Sequence, residues 1–123
     1  MLTLEIKDKV VLVTGSNRGI GKSFVEKALE LGAAKVYATA RSTDSLADLA
    51  AANPERVVLL NLDICNQEQV DAVAAAAQDV DVLINNAGAG GGGAIVAANN
   101  EAPKRMEMDI NYFGTMKMAV AFA

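Results

Sequence analysis

The sequence predicts an α/β fold in which a parallel β-sheet lies between two layers of helices. Short apolar, β-branched runs alternate with amphipathic segments of helical periodicity along all 123 residues. The composition is 52% hydrophobic but only 4% aromatic, which is typical of a parallel sheet covered by alanine-rich helices. No linker or repeat divides the chain. We therefore expect a single domain over residues 1–123, with an open parallel sheet of about four strands and right-handed crossovers.

The first predicted strand, Val10–Thr14, leads through a glycine turn into a helix over Gly19–Leu31. Glycines in this turn allow the backbone to bend tightly and to approach a bound group closely. The first helical turn directs free N–H groups and a positive dipole end at that group, so a phosphate is its natural occupant. Gly32 is expected to end the helix. Its predicted apolar face comprises Ile20, Phe24, Val25, Ala28 and Leu29.

The second predicted strand is Lys35–Ala40, and the second helix is Asp44–Ala52. We expect that helix to end at Asn53, because Pro54 disfavours a helical conformation in the residue before it. Its inward-facing side chains are predicted to be Leu46, Leu49 and Ala50.

The third predicted strand is Arg56–Leu62, and a third helix follows it. Asn66, with Gln69 three residues later, resembles a capping box at the start of that helix. The helix carries an apolar stripe at helical spacing, formed by Val70, Val73, Ala74 and Ala77. The fourth predicted strand is Val80–Ile84.

A glycine-rich loop, with Gly88 and Gly90–Gly93, separates the fourth strand from a last helix over about residues 103–123. The loop is either a functional segment or only a flexible connection. The last helix has two apolar rows, which predict burial on two sides. One row is Met106, Ile110 and Phe113, and the other is Met108, Tyr112, Met116 and Ala119.

Charge and residue usage exclude several classes of function. A net charge of −4 argues against general binding to nucleic acid or to an anionic membrane. Cys65 is the only cysteine and there is no histidine, so an internal disulfide, a Cys/His metal site and a Ser-His or Cys-His catalytic pair are excluded within these residues. No stretch resembles a secretory leader or a membrane span, and we expect a soluble cytoplasmic protein with no metal.

Polar residues follow each predicted strand at its carboxyl end. Thr14 follows the first strand, Arg41 and Ser42 the second, Asp63 and Ile64 the third, and Asn85–Gly88 the fourth. In open parallel sheets these ends meet at one edge, and ligands bind there near the point where the strand order reverses. The sequence therefore predicts a ligand site at this edge.

Four motifs in this order resemble the short-chain dehydrogenase/reductase family. They are T-G-x-x-x-G-I-G at Thr14–Gly21, L-D at Leu62–Asp63, N-N-A-G at Asn85–Gly88 and D-I-N-Y-F-G-T at Asp109–Thr115. The resemblance covers nearly the whole chain but only the N-terminal half of a family member. It implies a Rossmann-like, doubly wound fold that is truncated, with about four strands in the order 3-2-1-4, and an oxidoreductase acting on a carbonyl or alcohol substrate.

The resemblance also implies roles for individual residues. Asp63 would accept a hydrogen bond from the adenine amino group, with the Ile64 backbone beside it. Asn111 would match a catalytic asparagine whose backbone helps to hold a proton-relay water, although a purely structural role stays open. Asn86, Ala87 and Gly88 would lie along the ribose, and the cofactor turn would comprise Gly15, Ser16, Asn17, Arg18, Gly19, Ile20 and Gly21.

The choice of cofactor follows from the end of the second strand. An NAD site usually has a carboxylate there, which hydrogen-bonds the ribose 2′-OH. This chain has Ala40 and Arg41, followed by Ser42, and a guanidinium suits a 2′-phosphate. With Arg18 as a second cationic group, we expect NADP(H) in preference to NAD(H). Asp44, the nearest acid, is expected to support the start of the second helix, and a merely solvated Arg41 is the alternative.

The sequence lacks part of the family's catalytic machinery. A serine and a Tyr-x-x-x-Lys pair are expected beyond the asparagine helix, whereas the only tyrosines here are Tyr37 and Tyr112, neither with a lysine four residues on. The chain is therefore expected to bind cofactor without turnover of its own, and whether it is an enzyme stays open. The alternative is an excised or designed fragment that serves only as a structural, self-assembling scaffold.

The predicted architecture leaves apolar and polar surfaces without cover. With no fifth strand, the fourth strand has a free edge, and exposed edges pair with other chains. The last helix has a second apolar row with nothing to cover it. We therefore expect a homodimer or a larger assembly through the last helix or the strand-4 edge.

Overall fold

In a computed structural model of the chain, residues 5–89 and 101–123 are described. Four parallel strands form one sheet in the order β3-β2-β1-β4, which confirms the predicted fold class and strand order. The strands are β1 (Val10–Val13), β2 (Lys35–Ala40), β3 (Val57–Asn61) and β4 (Val82–Ile84).

Helices flank the sheet at the predicted places. The first three are α1 (Gly19–Glu30), α2 (Ala47–Ala52), which follows a short 3-10 turn at Asp44–Leu46, and α3 (Gln67–Ala76). The last helix consists of α4 (Glu101–Met108), a π-helical segment (Asp109–Gly114) and α5 (Thr115–Ala121).

Alternation along the strands divides the interior into two cores. In β1, Val11 and Val13 point to one face of the sheet, where they join a cluster with Val25 of α1 and Leu46. Leu12 points to the other face, in a second cluster. Its partners there include Tyr37, Val70, Val73 and Met118, contributed by β2, α3 and α5. The three-layer arrangement thus follows from a period-two pattern in strands that are buried on both sides.

The backbone carbonyl groups at the C-terminal end of α1 accept hydrogen bonds from a glycine cap and from an arginine. Gly32 has φ +86°, and its N–H donates to Leu29 O at 3.1 Å while Ala33 N–H donates to Ala28 O at 3.0 Å. These two bonds form a Schellman motif, as the predicted glycine end requires. Arg56 adds its guanidinium, which donates to Leu29 O at 2.9 Å and to Ala33 O at 2.8 and 3.1 Å.

The predicted apolar face of α1 is wrong at its first two positions. Ile20 is 69% exposed and Phe24 is 40% exposed. The stripe that packs on the sheet is instead Gly21, Val25 and Ala28. Ile20 and Phe24 each precede a stripe residue by one position, which rotates them about 100° away from the sheet.

The start of α3 confirms one half of the predicted capping box. Asn66 Oδ1 accepts from Gln69 N–H at 3.1 Å, which caps the helix. The side chain of Gln69 does not return to Asn66 but accepts from Asp63 N–H at 2.8 Å. The cap therefore also fixes the loop that leaves β3.

The last helix departs from its predicted apolar rows. Ile110 packs against the second core, and Gly114 and Met118 are buried, but the other large apolar side chains of both rows are exposed in this chain. The π-helical segment contains an additional residue in its turn, so the face toward the sheet runs through Ile110, Gly114 and Met118. The exposed side chains are Met106, Met108, Tyr112, Phe113, Met116 and Val120.

Candidate functional site

The glycine turn between β1 and α1 lies at the carboxyl edge of the sheet. Gly15 has φ +65°, a conformation that favours glycine. A Cβ on Gly21 would lie 1.9 Å from Gly15 O, so only glycine permits this approach of helix to turn. Lys22 N–H donates to Arg18 O at 3.3 Å as the helix begins. The amides of Gly19, Ile20 and Gly21 come before it and have no acceptor within the helix.

The side chain of Thr14 connects this turn to the end of β4. Its Oγ1 accepts hydrogen bonds from Asn86 N–H and from Ala87 N–H, both at 3.0 Å. Asn86 Nδ2 in turn donates to Gly15 O at 3.2 Å. The Asn86 side chain thus contacts the glycine turn and does not extend away from the protein. Asn85, beside it, is exposed.

Ser16 and Thr39 connect the turn to β2. Ser16 is fully buried, its Oγ donates to Val13 O at 2.7 Å, and its N–H donates to Thr39 O at 3.0 Å. Thr39 Oγ1 donates to the same Val13 carbonyl at 3.0 Å. Sequence reasoning missed Thr39. The signal was available, because a polar β-branched residue near the end of a buried strand needs a hydrogen-bond partner.

The outer part of the turn faces solvent. Ser45, in the 3-10 turn before α2, donates from Oγ to Asn17 O at 2.9 Å. This hydrogen bond fixes the outer part of the glycine turn. Arg18 occupies the N-cap position of α1 in an extended conformation, without a side-chain cap. Arg18, Gly19 and Ile20 are exposed.

Arg41 and Ser42 directly follow β2, and both are exposed. Within the described part of the chain, neither Arg18 nor Arg41 forms an ion pair or a side-chain hydrogen bond. Asp44 lies in the first turn of the 3-10 helix. The strands β1 and β2 are paired, so these two arginines follow neighbouring strands at one edge.

The loop after β3 is closed by its own aspartate. Asp63 Oδ1 accepts from Cys65 N–H at 2.9 Å, and Asp63 O accepts from Asn66 N–H at 3.0 Å. Ile64 is buried against the last helix, where a Cβ on Gly114 would lie 2.7 Å from Ile64 Cγ1. This contact requires glycine at 114 because the helix and the loop are so close.

Cys65 is half-buried in the same loop, and Lys117 Nζ donates to its carbonyl oxygen at 3.0 Å. Burial raises the pKa of the Cys65 thiol, Asp63 and Asp109 raise it further, and Lys117 acts in the opposite direction. A raised thiol pKa disfavours the reactive thiolate.

Asn111 lies in the π-helical segment and binds the segment that leaves β4. Its Oδ1 accepts from Ala89 N–H and its Nδ2 donates to Ala89 O, both at 2.8 Å. The exposed Gly88 is adjacent, and a Cβ there would lie 3.2 Å from Asn111 Oδ1. The predicted functional loop Gly90–Gly93 lies outside the described residues.

A lysine–tyrosine–aspartate cluster at the amino end of the sheet was not anticipated. Tyr37 Oη donates to Asp79 Oδ1 at 2.7 Å, and Lys35 Nζ lies 2.6 Å from Asp79 Oδ2 and 3.2 Å from Tyr37 Oη. Hydrogen bonds from Lys35 and then Tyr37 lower the pKa of Asp79, while burial and then Asp79 raise the pKa of Tyr37. The tyrosine is therefore held protonated, at the edge opposite the candidate site.

The predicted cofactor-binding residues thus lie at a carboxyl edge whose strand ends are linked to one another. The ends of β1, β2 and β4 are joined by direct hydrogen bonds, and the loop after β3 is joined to β2 by Leu62 N–H, which donates to Ala40 O at 2.8 Å, and to the last helix by Lys117. Within residues 5–89 and 101–123, no group of histidine, cysteine, aspartate or glutamate side chains is arranged to hold a metal ion. No helix in those ranges has the length and apolar character needed to cross a membrane.

Solved structures similar to this chain in fold and sequence include short chain dehydrogenases. The chain is 42% identical to a short chain dehydrogenase from Burkholderia cenocepacia, whose crystal structure is in complex with NADP; the TM-score is 0.89, over 97% of this chain and 48% of that one. It is 31% identical to a short chain dehydrogenase/reductase from Burkholderia phymatum in complex with NAD, with a TM-score of 0.83 over 98% and 44%. One of these two neighbours is therefore complexed with NADP and the other with NAD.

Curated relatives give the same result. The chain is 33% identical to galactitol 2-dehydrogenase of Agrobacterium fabrum, over 96% of this chain and 47% of that protein. It is 30% identical to a short-chain dehydrogenase/reductase of Pestalotiopsis microspora, over 93% and 41%. The chain thus spans about half the length of these relatives. The family model for short chain dehydrogenases matches residues 9–123, and the chain belongs to the short-chain dehydrogenase family.

Proposed function

We propose that this chain binds NADP(H) and forms the adenosine side of a short-chain carbonyl or alcohol oxidoreductase. The observation that carries the proposal is the pair of exposed arginines, Arg18 and Arg41, beside a glycine turn with free helix N-terminal amides. The proposed binding residues are those of the glycine turn, the two residues after β2, the loop after β3 and the segment after β4.

The backbone of the turn suits a pyrophosphate. The absence of side chains at Gly15 and Gly21 brings the start of α1 against the turn, and the contact of Gly21 with Gly15 O leaves no room for a Cβ. The amides of the first helical turn supply donors without an internal acceptor. The inward hydrogen bonds of Ser16 and Asn86 support this backbone geometry, so their proposed part is to hold the turn in shape.

The arginines suit a 2′-phosphate. Each guanidinium offers several donors to phosphate oxygens, and neither is neutralised by a carboxylate within the described residues. No acidic residue directly follows β2, where an NAD-selective site would have one. NADP(H) is therefore proposed over NAD(H).

The loop after β3 suits the adenine ring. Asp63 uses one carboxylate oxygen, Oδ1, for Cys65 N–H. The second oxygen, Oδ2, is the proposed acceptor for the adenine amino group. Ile64, held against the last helix, supplies the adjoining backbone.

Bound NADPH would supply a hydride, but these residues do not provide the expected proton donor. Tyr37 is buried at the opposite edge with its hydroxyl bonded to Asp79. Tyr112 is exposed and stacks edge-on against Phe113. We therefore propose that the Asn111 side chain has a structural role here, which is to hold the backbone of Ala89. We also propose that the chain alone binds cofactor without reducing a carbonyl substrate.

The test is a calorimetric titration of the purified chain with NADPH and with NADH, followed by a carbonyl-reduction assay in the same buffer. We expect NADPH to bind about tenfold or more tightly than NADH, the effect of one charge-assisted hydrogen-bonded contact. Arg41→Asp should remove that preference. Arg105→Asp is the matched control, because Arg105 is an exposed arginine of the last helix paired with Glu101.

Equal affinities of the wild-type chain for both dinucleotides, or an unchanged preference in Arg41→Asp, would contradict the assignment of the 2′-phosphate. No binding of either dinucleotide would contradict the cofactor proposal as a whole. Carbonyl reduction by the isolated chain would contradict the proposed lack of turnover.

Self-association is a second candidate function, because the last helix exposes a large apolar surface. Val120 is 71% exposed and Tyr112 is 56% exposed, and four further apolar side chains lie on the same helix. Soluble proteins rarely leave so many neighbouring apolar side chains uncovered. We propose a homodimer or larger assembly through this surface or through the β4 edge, which in the described chain pairs only with β1. The cytoplasmic location stays a prediction.

A further inference from the structure

The last helix contacts both loops that border the candidate site. Asn111 binds Ala89 after β4, and Gly114 packs against Ile64 after β3. Lys117, one turn further, donates from Nζ to Cys65 O at 3.0 Å. The position of the loop after β3 therefore depends on this helix as well as on the sheet.

Lys117 differs in its contacts from Lys104, the other lysine of the last helix. Lys104 forms an ion pair with Glu107 at 3.3 Å, whereas Lys117 has no carboxylate within ion-pair distance in the described ranges. Its ammonium group binds a backbone carbonyl in another element, 52 residues away in sequence. A charged donor on a neutral carbonyl forms a stronger hydrogen bond than a neutral donor does.

This contact bears directly on Asp63. The Cys65 residue is held on both sides of its backbone: its N–H donates to Asp63 Oδ1 at 2.9 Å, and its carbonyl accepts from Lys117. Fixing Cys65 therefore fixes the orientation of the Asp63 carboxylate. The other carboxylate oxygen, Oδ2, has its direction set by the same interaction.

We propose that Lys117 is a positioning residue for adenine recognition. It holds the Asp63–Cys65 loop so that Asp63 Oδ2 is directed at the adenine amino group. This inference rests on the proposed NADP(H) site, and it adds a residue from the last helix that does not itself touch the cofactor.

The experiment compares NADPH with its analogue in which hypoxanthine replaces adenine, so that the amino group is lost. Both ligands are titrated against the full chain and against Lys117→Met, which keeps the apolar stem and removes the ammonium. Lys117→Arg retains a charged donor. Lys104→Met is the matched control, since it removes an ammonium from the same helix without touching the loop.

We expect the wild-type chain to prefer NADPH over the analogue by about fivefold to tenfold, as one hydrogen bond to a carboxylate implies. In Lys117→Met the preference should fall below about twofold, whereas Lys117→Arg and Lys104→Met should keep it. A general loss of stability would weaken the binding of both ligands equally and leave the ratio of their affinities unchanged. The ratio therefore separates positioning from a merely structural role.

An unchanged preference in Lys117→Met would overturn this inference and leave the NADP(H) proposal intact. If the wild-type chain binds both ligands equally, Asp63 does not recognise the amino group and the inference fails with that assignment. Failure to bind either ligand would overturn both proposals together. Should Lys117→Met lose its circular dichroism signal, Lys117→Gln is measured in its place with the same expected loss of preference.

Discussion

Thr14 Oγ1 accepts the backbone N–H of Ala87 at 3.0 Å and thereby joins the first strand of the sheet to the segment after the last one. Those two residues are 73 positions apart in sequence. The same oxygen accepts Asn86 N–H, which also has the Ile84 carbonyl within reach at 3.1 Å. Ala87 N–H has no such second acceptor in the described chain, so the hydroxyl at position 14 is required for it.

Replacing Thr14 by valine should therefore destabilise the chain. The side chain keeps its shape but loses the acceptor, which leaves Ala87 N–H unsatisfied and lowers the free energy of unfolding by about 2 kcal/mol. Urea denaturation measures the change. Thr14→Ser is the control, because it keeps the hydroxyl and loses only a methyl group, for about 1 kcal/mol. Equal losses in both variants would show that the hydroxyl is not what matters.

Gly21→Ala should disrupt the glycine turn more than Gly19→Ala. At position 21 the new Cβ would meet Gly15 O at 1.9 Å, so backbone must move, at a cost of about 3 kcal/mol. At position 19 there is open space, and only the φ of +55° opposes alanine, for about 1 kcal/mol. Thermal unfolding and NADPH titration measure both effects. Retained NADPH affinity in Gly21→Ala would argue against binding at this turn.

Arg56→Met should destabilise the chain without affecting the nucleotide. The variant removes the charged donors to Leu29 O and Ala33 O at the end of α1, and we expect a loss of about 2 kcal/mol in the free energy of unfolding. Arg56 lies before β3, at the edge away from the candidate site, so NADPH affinity should not change. Arg56→Lys keeps the charge but not the forked geometry. Its free energy of unfolding should lie between those of the wild type and of Arg56→Met. A changed affinity for NADPH would contradict this separation.

The Lys35–Tyr37–Asp79 cluster predicts a stability that depends on pH at both extremes. The pKa of Asp79 is lowered in the folded chain, so its contribution is present above the unfolded value of about 3.9 and is lost as pH falls through the folded pKa. The pKa values of Lys35 and Tyr37 are raised in the folded chain. Their contribution to stability is therefore present below their unfolded values of about pH 10 and is lost as the pH rises through the folded pKa values.

Asp79→Asn tests the acid limb. Unfolding in urea should show the variant to be less stable than the wild type at pH 7. The difference should shrink as the pH falls below about 3.9 toward the lowered pKa of Asp79, because protonation removes the same interaction from the wild type. A difference that stays constant over this range would mean that the ionised carboxylate contributes nothing specific.

Val120→Glu should shift the chain toward a monomer. A carboxylate at a site that is 71% exposed in the single chain costs little there, but it would be buried in an interface formed by the last helix. Sedimentation at micromolar concentration measures the state. Phe24→Glu is the matched control on α1, where an apolar side chain is also exposed but outside the proposed surface. A wild-type chain that is monomeric, or a Val120→Glu chain that still associates, would contradict the proposed interface.

The sequence predicted the sheet well because its central strands, β1 and β2, are buried on both faces. An apolar run such as Val10–Val13 is typical of a buried strand and unsuited to the protein surface. The strand order followed from the resemblance and from the rules for crossover connections. The motifs also located the carboxyl edge, since every predicted cofactor-binding residue closely follows a strand or opens the first helix. What is local in sequence was accessible from sequence.

Side-chain direction was not accessible in the same way. Ile20 and Phe24 fit an apolar face by spacing, but one rotation of α1 places Gly21 against the turn and turns both side chains to solvent. Ser16 and Asn86 carry polar groups that suit a ligand equally well. The Ser16 hydroxyl is directed inward to Val13 O, three residues before it, and the Asn86 amide to Gly15 O, 71 residues away. Lys117 is 52 residues from the carbonyl it binds, and no pattern connects two such positions.

The π-helical segment Asp109–Gly114 accommodates one additional residue in the last helix. Because a π turn closes its hydrogen bonds over five residues where an α turn closes them over four, the extra residue is taken up inside the segment itself. Deleting a single residue there would return the segment to α-helical hydrogen bonding and leave Met118 in the core and Lys117 at its carbonyl. The same deletion within α5 would instead rotate everything after it by about 100°. A one-residue deletion should thus be better tolerated in the π-helical segment than in α5.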